Sequence, residues 1–185
     1  SMSLRHDPAY VAAEITVFLR NLAREFGGDQ VCTVGKIDLH PNLTNVVPAK
    51  ATLTLDVRNT DEALLKLAEA KIADFLAQIA ASEGVKISTR ELSRFEPVIF
   101  DDRVIDCVES IAKQQGNTVQ RMPSGAGHDA QMMARVCPSG MIFVPSVKGI
   151  SHNAAEFTQD VDLEAGANIL LHTMLALTTL EESQN

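Results

Sequence analysis

The sequence predicts an α+β module followed by the closing segment of an α/β domain. The first observation is the order of periodic segments, helix, strand, strand, helix, strand, which is that of a split βαβ sandwich without its first strand. The second is a change of pattern after Pro97, where helices alternate with short apolar segments. The third is Gly140–Val144, an almost wholly apolar run typical of a strand covered on both faces of a sheet. At 185 residues, the chain has the size of one ordinary domain or two small ones.

The first module opens with a helix and two strands. An amphipathic helix is predicted from Pro8 to just before Gly27. Its apolar residues recur at helical spacing: Val11, Ala12, Ile15, Leu19 and Leu22. Alternating apolar residues predict strands over Val31–Leu39 and Ala51–Val57. The connection His40–Pro48 exceeds the roughly two to five residues of a plain hairpin turn, and loops of such length are often functional.

A second helix and a third strand complete this module. Thr60 or Asp61 can cap the helix, and Gly84 ends it. Its buried stripe is predicted to contain Leu64, Leu65, Leu67, Ala68, Ile72, Phe75, Leu76 and Ile79. The third strand is predicted over Val85–Leu92.

The second module begins between Arg94 and Asp101. A helix is predicted over Asp101–Gln115, a short strand over Val119–Met122 and another helix around Met132–Val136. After the apolar strand, a long helix with a broad apolar face is predicted over Val161–Leu180.

Composition excludes several classes of partner. The net charge of −8 and the pI near 5.0 favour neither nucleic acid nor an anionic membrane. Apolar stretches stay well below the roughly 20 residues that span a bilayer, and no signal peptide opens the chain, so we expect a soluble, cytoplasmic protein. Cys32, Cys107 and Cys137 form neither an even set nor a CxxC pair, and we expect reduced, structural cysteines.

A first candidate site combines Asn45 with Arg58 at the end of the second strand. An Arg fork and an Asn amide brought together on one sheet edge suit a substrate carboxylate. The alternative is structural: Asn45 forms a turn, and Arg58 makes a surface ion pair with Asp56 or Asp61.

A second candidate site is the segment Ser124-Gly-Ala-Gly-His-Asp-Ala130. Gly125 and Gly127 let the backbone approach a ligand, and the helix start that follows offers N–H groups to an anion. Alternatively, His128 or Asp129 simply caps that helix.

A third candidate site is His152 in the loop after the apolar strand. Its imidazole can be a metal ligand, oriented by a carboxylate such as that of Glu156. A zinc centre needs roughly three or four protein ligands, however, and His6, His40 and His172 show no matching spacing. His172 is expected to pack in a core or an interface.

Taken together, three motifs resemble the hydantoinase/carbamoylase-type amidohydrolases, which include N-carbamoyl-L-amino acid hydrolases, allantoate amidohydrolases and β-ureidopropionases. The motifs are Asn45-Val-Val-Pro48 with Arg58, the segment 124–130, and Ser151-His-Asn with Glu156. The resemblance runs from about Arg5 to the last helix.

The resemblance implies a two-domain, dinuclear metal hydrolase. Residues 5–96 would form a ferredoxin-like lid domain, lacking its first strand, through which two subunits dimerise. Residues 97–185 would form the C-terminal segment of the α/β catalytic domain, and residues 1–4 resemble a cloning remnant. The missing ligands and the general-base Glu would lie in a preceding half, so the chain is expected to be an inactive fragment without stably bound metal.

The resemblance also implies a role for each matching residue. Asn45 and Arg58 would bind the carboxylate of a small-molecule substrate, commonly in the partner subunit's active site. Gly127 and His128 would line the substrate pocket, and His152 would be the last metal ligand.

The implied reaction is hydrolysis of a ureido C–N bond by a metal-activated water, with release of ammonia and carbon dioxide. Two divalent ions would take part, Zn or Mn and alternatively Co or Ni. One alternative function is an aminoacylase or dipeptidase of the same architecture, and another is a noncatalytic dimerisation module.

Overall fold

A computed structural model describes residues 1–182, with side chains up to residue 178. It is an α+β structure of two compact units, Ser1–Pro97 and the residues from Val98 onward. The first unit contains α1 (Pro8–Phe26), β1 (Val31–His40), β2 (Lys50–Arg58) and α2 (Glu62–Glu83). The second contains α3 (Asp102–Gln114), α4 (Asp129–Met133) and α5 (Asp160–Glu182).

Helix α1 forms the centre of the first core, as its periodicity predicts. The carboxylate of Asp7 accepts hydrogen bonds from the backbone N–H groups of Ala9 and Tyr10, and Gly27 ends the helix with a φ of 64°. All five predicted core residues are buried: Val11, Ala12, Ile15, Leu19 and Leu22.

Strands β1 and β2 form an antiparallel hairpin that α1 covers on one face. A bulge at Gly35 interrupts the register, so that Val34 and Ile37 both face the same side although they are three residues apart. The opposite face carries polar residues of both strands, among them Asp56 and Arg58.

Helix α2 packs beside α1. Of the two predicted caps, Asp61 is the one used, and it accepts from the N–H groups of Ala63 and Leu64. The rings of Phe18 and Phe75 stack in parallel, with centroids 4.0 Å apart. Leu65, Ala68 and Ile72 are buried, whereas the predicted core residues Leu64 and Leu67 remain exposed.

In the second unit, α3 packs against α5. Asp101 caps α3 through its side chain, and its backbone N–H donates to the carbonyl of Ser139. Ala112 of α3 and Ile169 and Thr173 of α5 are buried.

Three predicted strands are wrong, for a shared physical reason. Val85–Leu92, Val119–Met122 and Gly140–Val144 form no strand, because a strand needs a hydrogen-bonded neighbour and no described segment pairs with them. Val85 and Ile87 still contact the core of α1 and α2, which explains the alternating pattern. Among the described residues, the sheet of the first unit therefore has the two strands β1 and β2, and the ferredoxin-like arrangement stays a prediction.

The apolar face predicted for α5 is present but largely uncovered. Ile169 is buried, whereas Leu170, Leu171, Met174 and Leu175 are exposed. A helix that is apolar around most of its circumference is typical of a buried position in a larger core. His172 is also exposed, so it does not pack in a core of the described residues, and its packing in an interface stays a prediction.

Candidate functional site

Arg58 lies at the last position of β2 and binds a carboxylate of its own strand. Its Nε donates to Oδ1 of Asp56 at 2.8 Å and its Nη2 to Oδ2 at 2.6 Å. Hydrogen bonds from Arg58 hold the pKa of Asp56 below its usual value, against the opposing effect of partial burial. The structural alternative raised by the sequence is therefore realised, and the binding of a substrate carboxylate by Arg58 stays a prediction.

Buried Gln30 fixes the backbone at Arg58, which sequence reasoning missed. Gln30 is 6% exposed, and its Nε2 donates to the Arg58 carbonyl at 3.0 Å. Its Oε1 accepts from Nδ2 of Asn59 at 2.9 Å. A lone Gln after a Gly-Gly turn carries no sequence signal for this role.

Asn45 lies in the turn at the opposite end of the hairpin. Eight residue steps of β2 separate Lys50, next to this turn, from Arg58, which at roughly 3.4 Å per residue amounts to about 27 Å. The expectation that the two side chains meet on one sheet edge is therefore wrong within one chain. An antiparallel hairpin necessarily places its turn far from the outer ends of its strands. Asn45 is exposed.

The glycine-rich segment leads into the short helix α4. His128 is the N-cap residue of α4, but its side chain makes no capping hydrogen bond. Its ring meets that of Phe143 edge-on, with centroids 6.0 Å apart. A methyl group added at Gly127 would meet no atom within 4 Å, so packing among the described residues does not require glycine there. The pocket-lining roles of Gly127 and His128 stay predictions.

His152 lies in a loop that its neighbours hold in a defined conformation. The residue has a φ of 56°, in the left-handed region. Oγ of Ser151 lies 3.1 Å from Nδ1 of the imidazole. The His152 backbone N–H donates to Oε2 of Glu156 at 3.0 Å. The expectation that Glu156 orients the ring directly is wrong: Glu156 contacts the backbone, and Ser151 contacts the ring.

Residues 1–178, whose side chains are described, contain no group of three His, Cys, Asp or Glu side chains placed to hold a metal ion. His152 fits one ligand position of such a centre, because its side chain is exposed and imidazole groups are common ligands for Zn, Mn, Co and Ni. His6 instead places Nδ1 2.7 Å from the carbonyl of Glu83. Among the described helices, none combines the length and apolar character of a membrane span.

The sequence matches the profile of Peptidase family M20/M25/M40 over residues 12–176. The chain therefore belongs to this family, whose members are metal-dependent hydrolases of amide and ureido bonds. The resemblance stated from the motifs is thereby confirmed.

Similar proteins within the family are amidohydrolases by name. The chain is 36% identical to an N-carbamoyl-L-amino acid amidohydrolase of Geobacillus stearothermophilus, covering 95% of this chain and 43% of that protein. It is 33% identical to the allantoate amidohydrolase of Bacillus subtilis, covering 96% and 43%. A crystal structure of a hydantoinase/carbamoylase family amidase from Burkholderia vietnamiensis matches with a TM-score of 0.90 and 35% identity, over 95% of this chain and 43% of that one. The chain thus spans less than half the length of these relatives.

Proposed function

We propose that this chain is part of an amidohydrolase that cleaves the ureido C–N bond of N-carbamoyl amino acids or allantoate. One water is consumed, the amine is released, and the carbamoyl group leaves as ammonia and carbon dioxide. The observation that carries the proposal is the exposed imidazole of His152, in a loop whose conformation is held by contacts with Ser151 and Glu156. The relatives of the chain include N-carbamoyl-L-amino acid and allantoate amidohydrolases.

In this proposal, His152 is one ligand of a pair of divalent ions, Zn or Mn and alternatively Co or Ni. When bound, such ions supply an activated water and polarise the carbonyl to be cleaved. The remaining ligands and the general-base Glu are assigned to the part of the relatives that this chain does not span. The chain alone is therefore proposed to bind no metal stably and to have no turnover.

Arg58 is proposed to bind the substrate carboxylate through its fork, which aligns the carbonyl with the attacking water. Asn45 is proposed to contact the same chemical group. Because the length of β2, about 27 Å, lies between Arg58 and the turn that carries Asn45, one small substrate cannot touch both side chains of one chain. In a homodimer formed through the lid domain, residues 5–96, each substrate carboxylate is therefore proposed to contact Arg58 of one subunit and Asn45 of the other.

His128 and the backbone at Gly127 are proposed to line the pocket beside the metal ions. The His128 ring contacts the ring of Phe143 in a T-shaped arrangement, which limits its orientation. The proposed partners are thus a small carboxylate substrate and a second subunit, in the cytoplasm, without nucleic acid or membrane.

The test is ammonia release from N-carbamoyl-L-amino acids and from allantoate, with added Mn²⁺ or Zn²⁺. We expect no turnover from this chain and metal-dependent turnover from the full-length gene product. Turnover by the chain alone would show that the ligand assignment is wrong. Cleavage of N-acyl amino acids or dipeptides without ammonia release would favour an aminoacylase or dipeptidase. A stable metal-free dimer of the full-length product without any turnover would favour a noncatalytic module.

A further inference from the structure

We infer that Ser151 and Glu156 are positioning residues that present the imidazole of His152 to a divalent cation. This inference rests on the proposed role of His152 as a metal ligand. It assigns the orientation of the ring to Ser151 and the conformation of the backbone to Glu156. Neither residue is proposed to touch the metal.

Glu156 stabilises a backbone conformation that histidine rarely adopts. A φ of 56° is uncommon for residues other than glycine, and it persists where surrounding contacts hold it. The contact that holds it is the hydrogen bond from the His152 N–H to Oε2 of Glu156, at 3.0 Å. Charge-assisted hydrogen bonds of this kind are stronger than neutral ones.

The position of Glu156 is fixed in turn by Asn153. The Glu156 N–H donates to the Asn153 carbonyl at 3.0 Å, and Oδ1 of Asn153 accepts from the N–H of Ala155 at 2.9 Å. The segment from His152 to Glu156 is thus a closed turn, with hydrogen bonds running in both directions across it. Glu156 can hold the His152 backbone because its own backbone is held.

The base of the loop is closed as well. The N–H of Val147 donates to the carbonyl of Phe157 at 2.8 Å, and the hydroxyl of Ser146 donates to the carbonyl of Ile150. Both ends of the segment that carries His152 are therefore tied to each other, independently of any ligand.

Ser151 selects which ring nitrogen is available. Its Oγ lies 3.1 Å from Nδ1, and a hydroxyl oxygen can accept a hydrogen bond from Nδ1–H. With Nδ1–H donating to Ser151, Nε2 keeps its lone pair, as a metal-binding imidazole requires. The described residues show no hydrogen bond at Nε2 of His152.

NMR of this chain tests both assignments without any metal or activity. A left-handed residue gives a strong NOE between its own amide and Hα protons, and long-range ¹H–¹⁵N spectra of the ring distinguish the two neutral tautomers in alkaline buffer. In the wild type we expect the strong NOE at His152 and the Nδ1–H tautomer. We expect Glu156→Ala to lose the strong NOE and Glu156→Gln to retain it, since the amide oxygen can still accept. Glu164→Ala, in exposed α5 sequence, is the matched control and should change nothing at His152.

Ser151→Ala should shift the ring toward the Nε2–H tautomer while leaving the NOE unchanged. The dispersed amide spectrum of the second unit checks that each variant is folded. An unchanged NOE in Glu156→Ala, or a predominant Nε2–H tautomer in the wild type, would overturn the inference while leaving the proposed function standing.

Ni²⁺ alone then probes the cation itself, by paramagnetic broadening of the ring protons. We expect His152 to broaden at several-fold lower Ni²⁺ concentration than exposed His172, and this preference to fall in Ser151→Ala and Glu156→Ala. Equal broadening of the two rings, with the NMR conformation as expected, would overturn the positioning role, whereas the proposed function itself is tested by ammonia release from the full-length product. Failure of the inference alone and failure of the proposed function are thus distinguishable.

Discussion

Both carboxylate oxygens of Asp56 accept hydrogen bonds from the Arg58 guanidinium, so the fork assigned to the substrate is already filled by a carboxylate two residues away. The geometry is that of a bidentate Arg–carboxylate pair, and both side chains are about half exposed. A substrate carboxylate that binds the Nε/Nη2 side of Arg58 therefore competes with Asp56.

Removing the competing charge should strengthen carboxylate binding. An exposed ion pair contributes about 0.2–1 kcal/mol, so in the full-length enzyme Asp56→Asn should lower KM by a factor between about 1.4 and 5, with little change in kcat. Arg58→Ala is the matched control and should raise KM. Steady-state kinetics with N-carbamoyl amino acids measure both. A KM that rises in Asp56→Asn would mean that Asp56 orients Arg58 instead of competing for it.

A second ion-pair cluster joins the segment after α2 to that helix. Nε of Arg94 donates to Oε1 of Glu69 at 2.9 Å, and Nη2 donates to Oε1 of Glu62 at 2.8 Å. Burial acts to raise the pKa of Glu62, but hydrogen bonds from Arg94 and Lys66 outweigh it, and the pKa is lowered.

The lowered pKa predicts a stability contribution that acid removes. A carboxyl group with a depressed pKa in the folded state stabilises above its ordinary value of 4.5 and loses that contribution as pH falls below it. Arg94→Met should therefore lower the urea midpoint at pH 7, and the difference from wild type should shrink at pH 3. Exposed Arg90→Met is the control. Tyr10, the only Tyr in a chain without Trp, reports on the first unit by fluorescence. If the difference in urea midpoint between Arg94→Met and the wild type were independent of pH, the ion pairs of Arg94 would not be its cause.

Gly84 offers a prediction in which backbone strain and a steric contact can be separated. Its φ is 62°, and a Cβ there would lie 2.7 Å from the ring of His6. Gly84→Ala should destabilise the first unit by the cost of a left-handed residue, about 1–2 kcal/mol, and by the displacement of His6. In a His6→Ala background, the contribution from the displacement of His6 should disappear from the destabilisation caused by Gly84→Ala. Tyr10 fluorescence during urea unfolding measures the double-mutant cycle. An additive cycle would show that His6 moves aside freely.

Local elements were predictable from the sequence because local physics decides them. The heptad-like apolar spacing of α1, the cap at Asp61 and the C-terminal glycine of α2 are all read from neighbouring residues, and the structure confirms them. The prediction of a strand over Val85–Leu92 is wrong because a strand depends on a partner elsewhere in the chain, and alternating apolar residues alone do not reveal that partner.

The site shows the same division between local and distant information. The Ser151–His152 contact joins sequence neighbours, and the motif already contains both residues. The separation of Asn45 from Arg58 depends on the full length of β2, and the contact of Gln30 with the Arg58 carbonyl joins residues 28 positions apart. Residue types and short spacings indicate the chemistry, whereas the distances come from the pairing of strands.

The three cysteines should differ in reactivity in an order set by exposure and pKa. Cys137 is exposed, whereas Cys32 is half-buried in the sheet face that packs on α1. Burial raises the pKa of the Cys32 thiol, and the charge of Asp56 adds to this, against a smaller opposing effect of a hydrogen bond from Gln30. Because the thiolate is the reactive form, Cys137 should react with a thiol reagent at neutral pH at least several-fold faster than Cys32.

Timed labelling with peptide mass mapping gives the three labelling rates, and in concentrated urea these rates should become similar. Cys137→Ser should abolish the fast phase, and a fast phase that survives this substitution would contradict the predicted order.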